Sequence, residues 1–333
     1  MSGTCCTPGR EHPTAAGDAP PPTPGVATAV TAHAATAAAA TADAARSMRE
    51  LDGGVFLMGT DDEEGFPADG EGPVREVAVA AFAVDTKAVS NDDFAAFVEA
   101  TGYQTEAERF GWSFVFQGHV SKTLWRDGMV QEVPGLAWWF AVDRACWCRP
   151  EGPGSNVRKR GSHPVVHVSH ADASAYARWA GKRLPSEAEW EFAARGGLEQ
   201  KRLPWGDDLT PNGKHRCNIW QGTFPGNDVA EDGYAGTCPV DAFRPNGFGL
   251  YNVAGNVWEW CADWFSPDHH LTAESRNPAG PEKGSARVMR GGSYLCHRSY
   301  CNRYRVAART SNSPDSSTSN LGFRCVRSLG TSG

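Results

Sequence analysis

The chain has 333 residues and a formal net charge of −7, which disfavours nucleic acid as a partner, and no basic stripe with interleaved aromatics offsets it. No apolar run approaches the roughly 20 residues that span a bilayer, so no membrane segment is expected. A hydrophobic content of 40% with 12 Trp and 15 Phe can bury a large core, while 37 Gly and 22 Pro predict abundant loops and modest regular structure.

Residues 1–47 form a compositionally separate tail. TPGREHPTAAGDAPPPTPG followed by TAVTAHAATAAAATADAAR has almost no large apolar side chains to offset its ordering entropy, so a disordered Ala/Pro/Thr-rich segment is expected, with transient helix from Val30 to Arg46. Thr and His interrupt the apolar stretch a secretory signal needs, and no basic start precedes it. A cytoplasmic protein follows, with most of its 10 cysteines kept as thiols.

The folded domain is expected over 48–328, with 329–333 a flexible C-terminus. Gly53–Gly59 and Val74–Asp85 read as a first pair of strands around the acidic loop DDEEGFPADGEG. Ser90 to Asp93 is a capping box that predicts a helix from Asn91 to Thr101, stopped by Gly102. From Tyr103 to Arg160 aromatic clusters lie between Gly/Pro-rich segments with no sustained period, the pattern of a core packed under loops. Val165 and Val166 suit a short strand. Two more capping boxes, Ser169 to Asp172 and Ser186 to Glu189, predict helices closed by Gly181 and by Gly196-Gly197. His163, His167 and His170 have a spacing that raises an iron or zinc site, but His170 falls just past a helix cap and no acidic partner is placed as in H-E-x-x-H, which disfavours it.

Beyond Leu203 the loops are rich in oxygen ligands: Asn218-Ile219-Trp220, Glu231-Asp232-Gly233-Tyr234, and NGFGLYNVAGNVWEW with Asn252, Asn256 and Glu259. Such groups on Gly-rich turns suit a hard cation such as Ca²⁺, although the same residues cap turns through their own backbones, and on the residues alone turn capping is preferred. The stretch Arg290 to Arg305, RGGSYLCHRSYCNRYR, then sets Cys296 and Cys301 five residues apart among Gly, Ser, Tyr and Arg. Thiolate is the nucleophile and soft-metal ligand, and Arg298, Arg303 and Arg305 would lower a neighbouring thiol's pKa. A local disulfide is equally compatible with the spacing.

GGVFLMGTDD, HPVVHVS, AGKRLPSEAEWEFAARGG, NIWQGTFP, AEDGY, NGFGLYNVAGNVWEWCADWF and RGGSYLCHRSYCNRYRVAARTSNSPDSSTSNLGFRC occur in this order from about Leu51 to Cys325. Together they resemble the formylglycine-generating enzymes, or sulfatase-modifying factors. The first motifs are shared by the wider superfamily, whereas the Cys296/Cys301 segment and the run to Asn320-Leu321-Gly322-Phe323-Arg324 are those of the active oxidases.

The resemblance implies a single α+β domain of the formylglycine-generating-enzyme type, related to C-type lectins, loop-rich and low in regular secondary structure. It implies an aerobic oxidase that uses O₂ and a thiol reductant to convert the cysteine of a Cys-x-Pro-x-Arg motif in an unfolded or nascent sulfatase to Cα-formylglycine; a monomer is expected, although the sequence does not determine the oligomeric state. Cys296 and Cys301 map onto the pair that binds Cu(I), a soft ion that accepts thiolates in low coordination. Ser293 and Asn320 would sit close to that centre. Structural Ca²⁺ is implied at Asn218, Ile219, Asp232 and Tyr234, and again at Asn252, Gly255, Val257 and Glu259, which reverses the turn-capping preference. The superfamily's Trp-Asn after HVS is replaced by His170-Ala171, and the positions of the family's disulfide partners read Ala194 and Val306, leaving Cys325 without a mate. A superfamily relative using non-haem iron would need a committed His cluster in place of the cysteine pair, and a non-catalytic Ca²⁺-stabilised module would be indifferent to Cys296→Ser.

The tail itself contains Cys6-Thr7-Pro8-Gly9-Arg10, a Cys-x-Pro-x-Arg sequence. A chance match competes with a functional reading in which Cys6, Pro8 and Arg10 act as a pseudosubstrate or a site of self-modification, tethered at an effective concentration of up to about mM.

Overall fold

The computed structural model describes residues 7–10, 48–271 and 274–329. The expected helix over Val30 to Arg46 and the expected C-terminal end beyond 329 lie outside the described residues. Met48–Leu51 and the last strand, Val326–Ser328, flank Phe82–Asp85 in one antiparallel sheet, so the two ends of the domain are joined by a shared central strand. Gly54–Met58 pairs with Arg75–Val79 as expected. The long strand expected over Val74–Asp85 is instead two strands, because the Ala80 N–H leaves the ladder to donate to Asn277 Oδ1 at 2.7 Å. Phe82–Asp85, buried at every position, turns into the other sheet.

All three expected capping boxes are present, each with the cap hydroxyl accepting from the third helical N–H and the acidic side chain accepting from the cap N–H. They open the helices Asn91–Thr101, His170–Trp179 and Glu187–Arg195; the second closes at Ala180, one residue before Gly181. The Tyr103–Arg160 region departs from expectation. A fourth capping box, Thr105 with Glu108, starts the short helix Glu106–Phe110, and the aromatic runs Trp112–Phe116 and Trp139–Asp143 pair with each other, with Val130–Glu132 pairing to Trp139–Asp143 to complete a three-stranded sheet. Both aromatic strands are largely buried on both faces, which erases the alternation that marks a half-buried strand. Val165 and Val166 form no ladder: Pro164 bridges Ser90, and only Val165 N–H donates to Val89.

The central sheet runs in the order Arg309–Asn312, Arg287–Arg290, Trp258–Trp264, Leu321–Gly322, the last pairing parallel to Trp258 and Glu259. Arg287–Arg290 and Arg309–Asn312 are antiparallel partners, and the chain between them carries both cysteines of the RGGSYLCHRSYCNRYR stretch. That connection leaves the sheet through Gly291 (φ 93°) and Gly292 (φ 73°), where a Cβ at 292 would lie 3.0 Å from the Arg303 carbonyl oxygen.

Buried ion pairs anchor the same connection. Arg290, fully buried, bonds Glu187 at 3.3 Å and Glu191, and donates to the carbonyls of Val306 and Ala307. Arg309 grips Glu187 in a fork at 2.6 and 2.7 Å, Arg303 meets Asp69 at 2.6 Å, and Arg305 forks onto Glu71 at 2.7 and 2.9 Å. Burial opposes ionisation of Glu191, but Arg195 and Arg290 outweigh it and hold its carboxyl down at about 2. Asp263, which accepts the Glu187 N–H at 2.7 Å, has the opposite balance: burial, then the Glu187 charge, push it up to about 7.

Arg290→Met removes the shared cation and leaves two buried carboxylates under-compensated, so urea denaturation should show a loss on the order of 3–5 kcal/mol. Because the folded Asp263 carboxyl is raised from 3.8 to about 7, its contribution to stability is present at acid pH and lost as pH rises through about 7. Thermal melts should therefore show Asp263→Asn gaining on the wild type between about pH 5 and about pH 8.

Candidate active site

Two tight turns bring the cysteines together: Cys296 N–H donates to Ser293 O at 2.9 Å, and Cys301 N–H to His297 O at 2.7 Å. Their sulfurs lie 3.4 Å apart, and the two residues are 2% and 1% exposed. Ser293 N–H points at Cys296 Sγ (3.4 Å) and Arg303 Nη1 at Cys301 Sγ (3.8 Å). Asn320 Nδ2 donates to Ser293 Oγ at 2.9 Å, while Asn320 is held by Thr318 Oγ1 on its side-chain oxygen and Trp258 N–H on its carbonyl. The structure thus brings Cys296, Cys301, Ser293 and Asn320 into one buried cluster. Trp258 and Leu295 line its cleft, and Phe224 stacks on Tyr300 at 4.3 Å with Trp138 edge-on to both.

The expectation that cationic neighbours lower the thiol pKa fails at Cys296. Burial, then the contact with Cys301, push the Cys296 thiol well up. Arg303 and Arg305 are committed to Asp69 and Glu71, and Arg298 is exposed. Ionising this sulfur takes a strong local cation, and a thiolate-seeking metal ion is one, since metal binding displaces the thiol proton. Among the described residues no histidine or carboxylate joins the two sulfurs in a three-donor cluster. A pair of soft donors alone fits Cu(I).

Asp232 Oδ2 accepts from Ile219 N–H (3.1 Å) and Gln221 Nε2 (2.9 Å), and its Oδ1 accepts from Tyr234 N–H (2.9 Å). Gln221 Nε2 also meets the Ile219 carbonyl, and Asn218 Oδ1 is buried without a hydrogen-bond partner. Converging oxygens with one orphaned acceptor suit a hard cation. A bridge between Asn218 and Gly255 ties this set to the second one; Gly255 has φ 74°, and a Cβ there would lie 2.3 Å from Asn218 O. In the second set Asn252 Oδ1 is likewise buried and unpartnered, and Val257 is buried. Glu259, however, commits both oxygens to Arg324 (2.6 and 2.7 Å) and one also to Trp190 Nε1 (2.7 Å), so this set fits a cation less well than the first.

The three histidines do not converge. His163 meets Thr237, His167 bridges Ser113 and the Pro150 carbonyl, and His170 approaches the Cys261 carbonyl beside Trp260. Two further features stand outside the sequence expectations. Cys146 and Cys148 lie 3.5 Å apart near Glu108, where the Cys146 contact pulls the Cys148 thiol down to about 7; the Cys-x-Cys spacing was the visible signal. The second is a groove between Trp112 and the Ser-rich run Asn312–Ser317, in which Pro8 is buried and Arg10 lies 4.1 Å over the Trp112 ring. Cys6 itself is outside the described residues.

Residues 33–329 match the family described as Sulfatase-modifying factor enzyme 1-like domain. The "Formylglycine-generating enzyme" of Thermomonospora curvata is 64% identical over 288 residues, covering 85% of this chain and 94% of that protein. The protein of the same description from Streptomyces coelicolor is 58% identical over 283 residues, covering 85% and 90%. Among solved structures, PvdO from Pseudomonas aeruginosa superposes with a TM-score of 0.62 at 28% identity, covering 85% of this chain and 94% of that one. With a family match over nearly the whole described domain and relatives this similar, the chain belongs to the sulfatase-modifying factor family, the formylglycine-generating enzymes.

Proposed function

We propose that the chain is a copper-dependent aerobic oxidase that converts the cysteine of a Cys-x-Pro-x-Arg motif in a sulfatase polypeptide to Cα-formylglycine. The observation that carries this reading is the convergence of Cys296, Cys301, Ser293 and Asn320 in one buried cluster. Held by Cys296 and Cys301, Cu(I) would supply the reaction of O₂ with the substrate's CH₂SH group that amino-acid side chains lack. The substrate thiol gives up two electrons and two protons to become a thioaldehyde, and a thiol reductant supplies two more of each, so that O₂ leaves as two waters. One water then hydrolyses the thioaldehyde to the aldehyde and H₂S.

The chain's own residues prepare this chemistry. The Ser293 N–H and the Arg303 guanidinium each face one sulfur, so negative charge that develops there meets a donor already in place. Asn320 fixes the Ser293 hydroxyl, and its own two anchors, Thr318 and Trp258, leave it little freedom to turn away. The aromatic walls keep bulk water from the sulfurs. In the first oxygen cluster, Asn218, Ile219, Asp232 and Tyr234 would hold Ca²⁺ as a structural ion, bracing the loops that pack behind the site.

Incubation of a CTPSR-type peptide with copper-loaded protein, a thiol reductant and air should yield aldehyde, detected by mass spectrometry after hydrazide capture. Cys296→Ser and Cys301→Ser should reduce product to background without loss of the folded circular dichroism spectrum, and Asn320→Ala should lower turnover about 10–100-fold, the usual cost of a supporting partner. Absence of aldehyde from folded, copper-bound protein would refute the assignment. A strong calcium chelator should lower the melting temperature, added Ca²⁺ should restore it, and Asp232→Ala should abolish that response; a melt indifferent to chelation would remove calcium from the account.

A further inference from the structure

The N-terminal segment Thr7–Arg10 is seated on the domain through contacts spread along its length. The Pro8 carbonyl accepts from Asn312 Nδ2 at 3.0 Å and from Ser316 Oγ at 2.5 Å. Arg10 N–H donates to Ser313 Oγ at 3.3 Å, and the guanidinium donates to the Asp315 carbonyl (2.9 Å), the Trp112 carbonyl (3.0 Å) and Ser317 Oγ (2.9 Å). The same guanidinium lies over two rings, 4.3 Å from the centroid of Phe110 and 4.1 Å from that of Trp112. Burial pulls the guanidinium's pKa down to about 10, and the charges of Asp315, Glu106 and Asp172 oppose that pull. Between Pro8 and Arg10 the fit is close: a Cβ at Gly9 would come to 3.1 Å from Asn312 Oδ1. Phe110 remains 48% exposed although it forms one side of this clamp, so the groove is open to solvent and to an arriving peptide.

The direction of the segment matters as much as its contacts. Arg10 marks the outer end, at Trp112. At the other end Thr7 is 1% exposed, and its Oγ1 lies 4.0 Å from Met289 Sδ. Met289 belongs to the apolar cluster that also contains Trp258, Cys296 and Cys301. The end of the segment away from the guanidinium clamp is therefore buried against a residue of the same apolar core that holds the cysteine pair. Cys6, which precedes Thr7 in the sequence, lies outside the described residues.

We propose that this N-terminal segment is an intramolecular substrate of the enzyme: it occupies the peptide groove in cis, and Cys6 is a site of conversion to formylglycine. The inference rests on the proposed function and extends it to the chain itself. The balance is that of the free substrate: the Cys6 CH₂SH group is oxidised by two electrons, a thiol reductant gives two more, O₂ becomes two waters, and one water replaces sulfur, which leaves as H₂S. Two consequences follow. A preparation given copper, reductant and air carries an aldehyde near its N-terminus, and free substrate competes with a ligand that cannot diffuse away.

The test uses the full chain. Wild type, Arg10→Ala and Cys296→Ser are incubated with copper, a thiol reductant and air, and fragments containing Cys6 are sequenced by mass spectrometry after hydrazide labelling; the same preparations are assayed on a free CTPSR-type peptide. The expected result is labelled Cys6 in wild type at a rate independent of protein dilution, no label in Cys296→Ser, and little in Arg10→Ala. With the clamp's charge-assisted hydrogen bonds lost, Arg10→Ala should also show a KM for the free peptide about ten-fold lower than wild type. Cys6 remaining a thiol in a preparation that converts the free peptide overturns this proposal and leaves the proposed function standing. Failure to convert the free peptide as well overturns both.

Discussion

Buried guanidinium–carboxylate pairing is the constraint on which the site depends. The connection from Gly291 to Ala308 has little regular structure of its own, yet it must hold two sulfurs and a hydroxyl in fixed relation. Arg290 and Arg309 tie its two ends to Glu187, and Arg303 and Arg305 tie its far side to Asp69 and Glu71. Each pair is almost fully buried, so an arrangement that separates one leaves a charge unsolvated in the interior. The arginines thereby do for a loop what a hydrogen-bonded ladder does for a strand.

Burial, rather than the neighbouring arginines, decides the electrostatics at Cys296. Arginine beside cysteine ordinarily favours thiolate, but here the nearby guanidiniums are matched to carboxylates, and burial dominates at Cys296. Water exclusion and the upward push on the Cys296 thiol make its thiolate costly until an ion able to displace the proton arrives. In the proposed function, this burial would protect the sulfurs and favour a soft ion that binds sulfur strongly over hard cations.

The docked N-terminal residues and the cysteine cluster are joined through one short segment. Asn312, Ser313, Ser316 and Ser317 hold the docked N-terminal residues, and three residues later Asn320 holds Ser293 beside Cys296. Ser113 braces the segment from the Trp112 strand by bonding Ser317, and His167 braces Ser113 in turn. A peptide that orders the serine run therefore acts on the segment that carries Asn320.

The sequence by itself determined the local features. Capping boxes at Ser90, Ser169 and Ser186 specify helix starts because their donors and acceptors lie within four residues of one another. Ordered motifs likewise disclosed the family, the cysteine pair and Asn320. Only the tertiary structure decided the rest. The sheet built from Trp112–Phe116 and Trp139–Asp143 was hidden because burial on both faces removes alternation. Arg303 and Arg305 pair with Asp69 and Glu71, more than 200 positions away, and the burial that pushes the Cys296 thiol up comes from the assembled core; no local pattern reveals either. Glu259 reads as a calcium ligand by position, yet folding delivers Arg324 and Trp190 to its carboxylate. The Cys-x-Pro-x-Arg motif was plain in the tail, but that its Arg10 meets Trp112 and Asp315 is a fact of long-range packing, since contacts between distant segments are set by the shape of the whole surface.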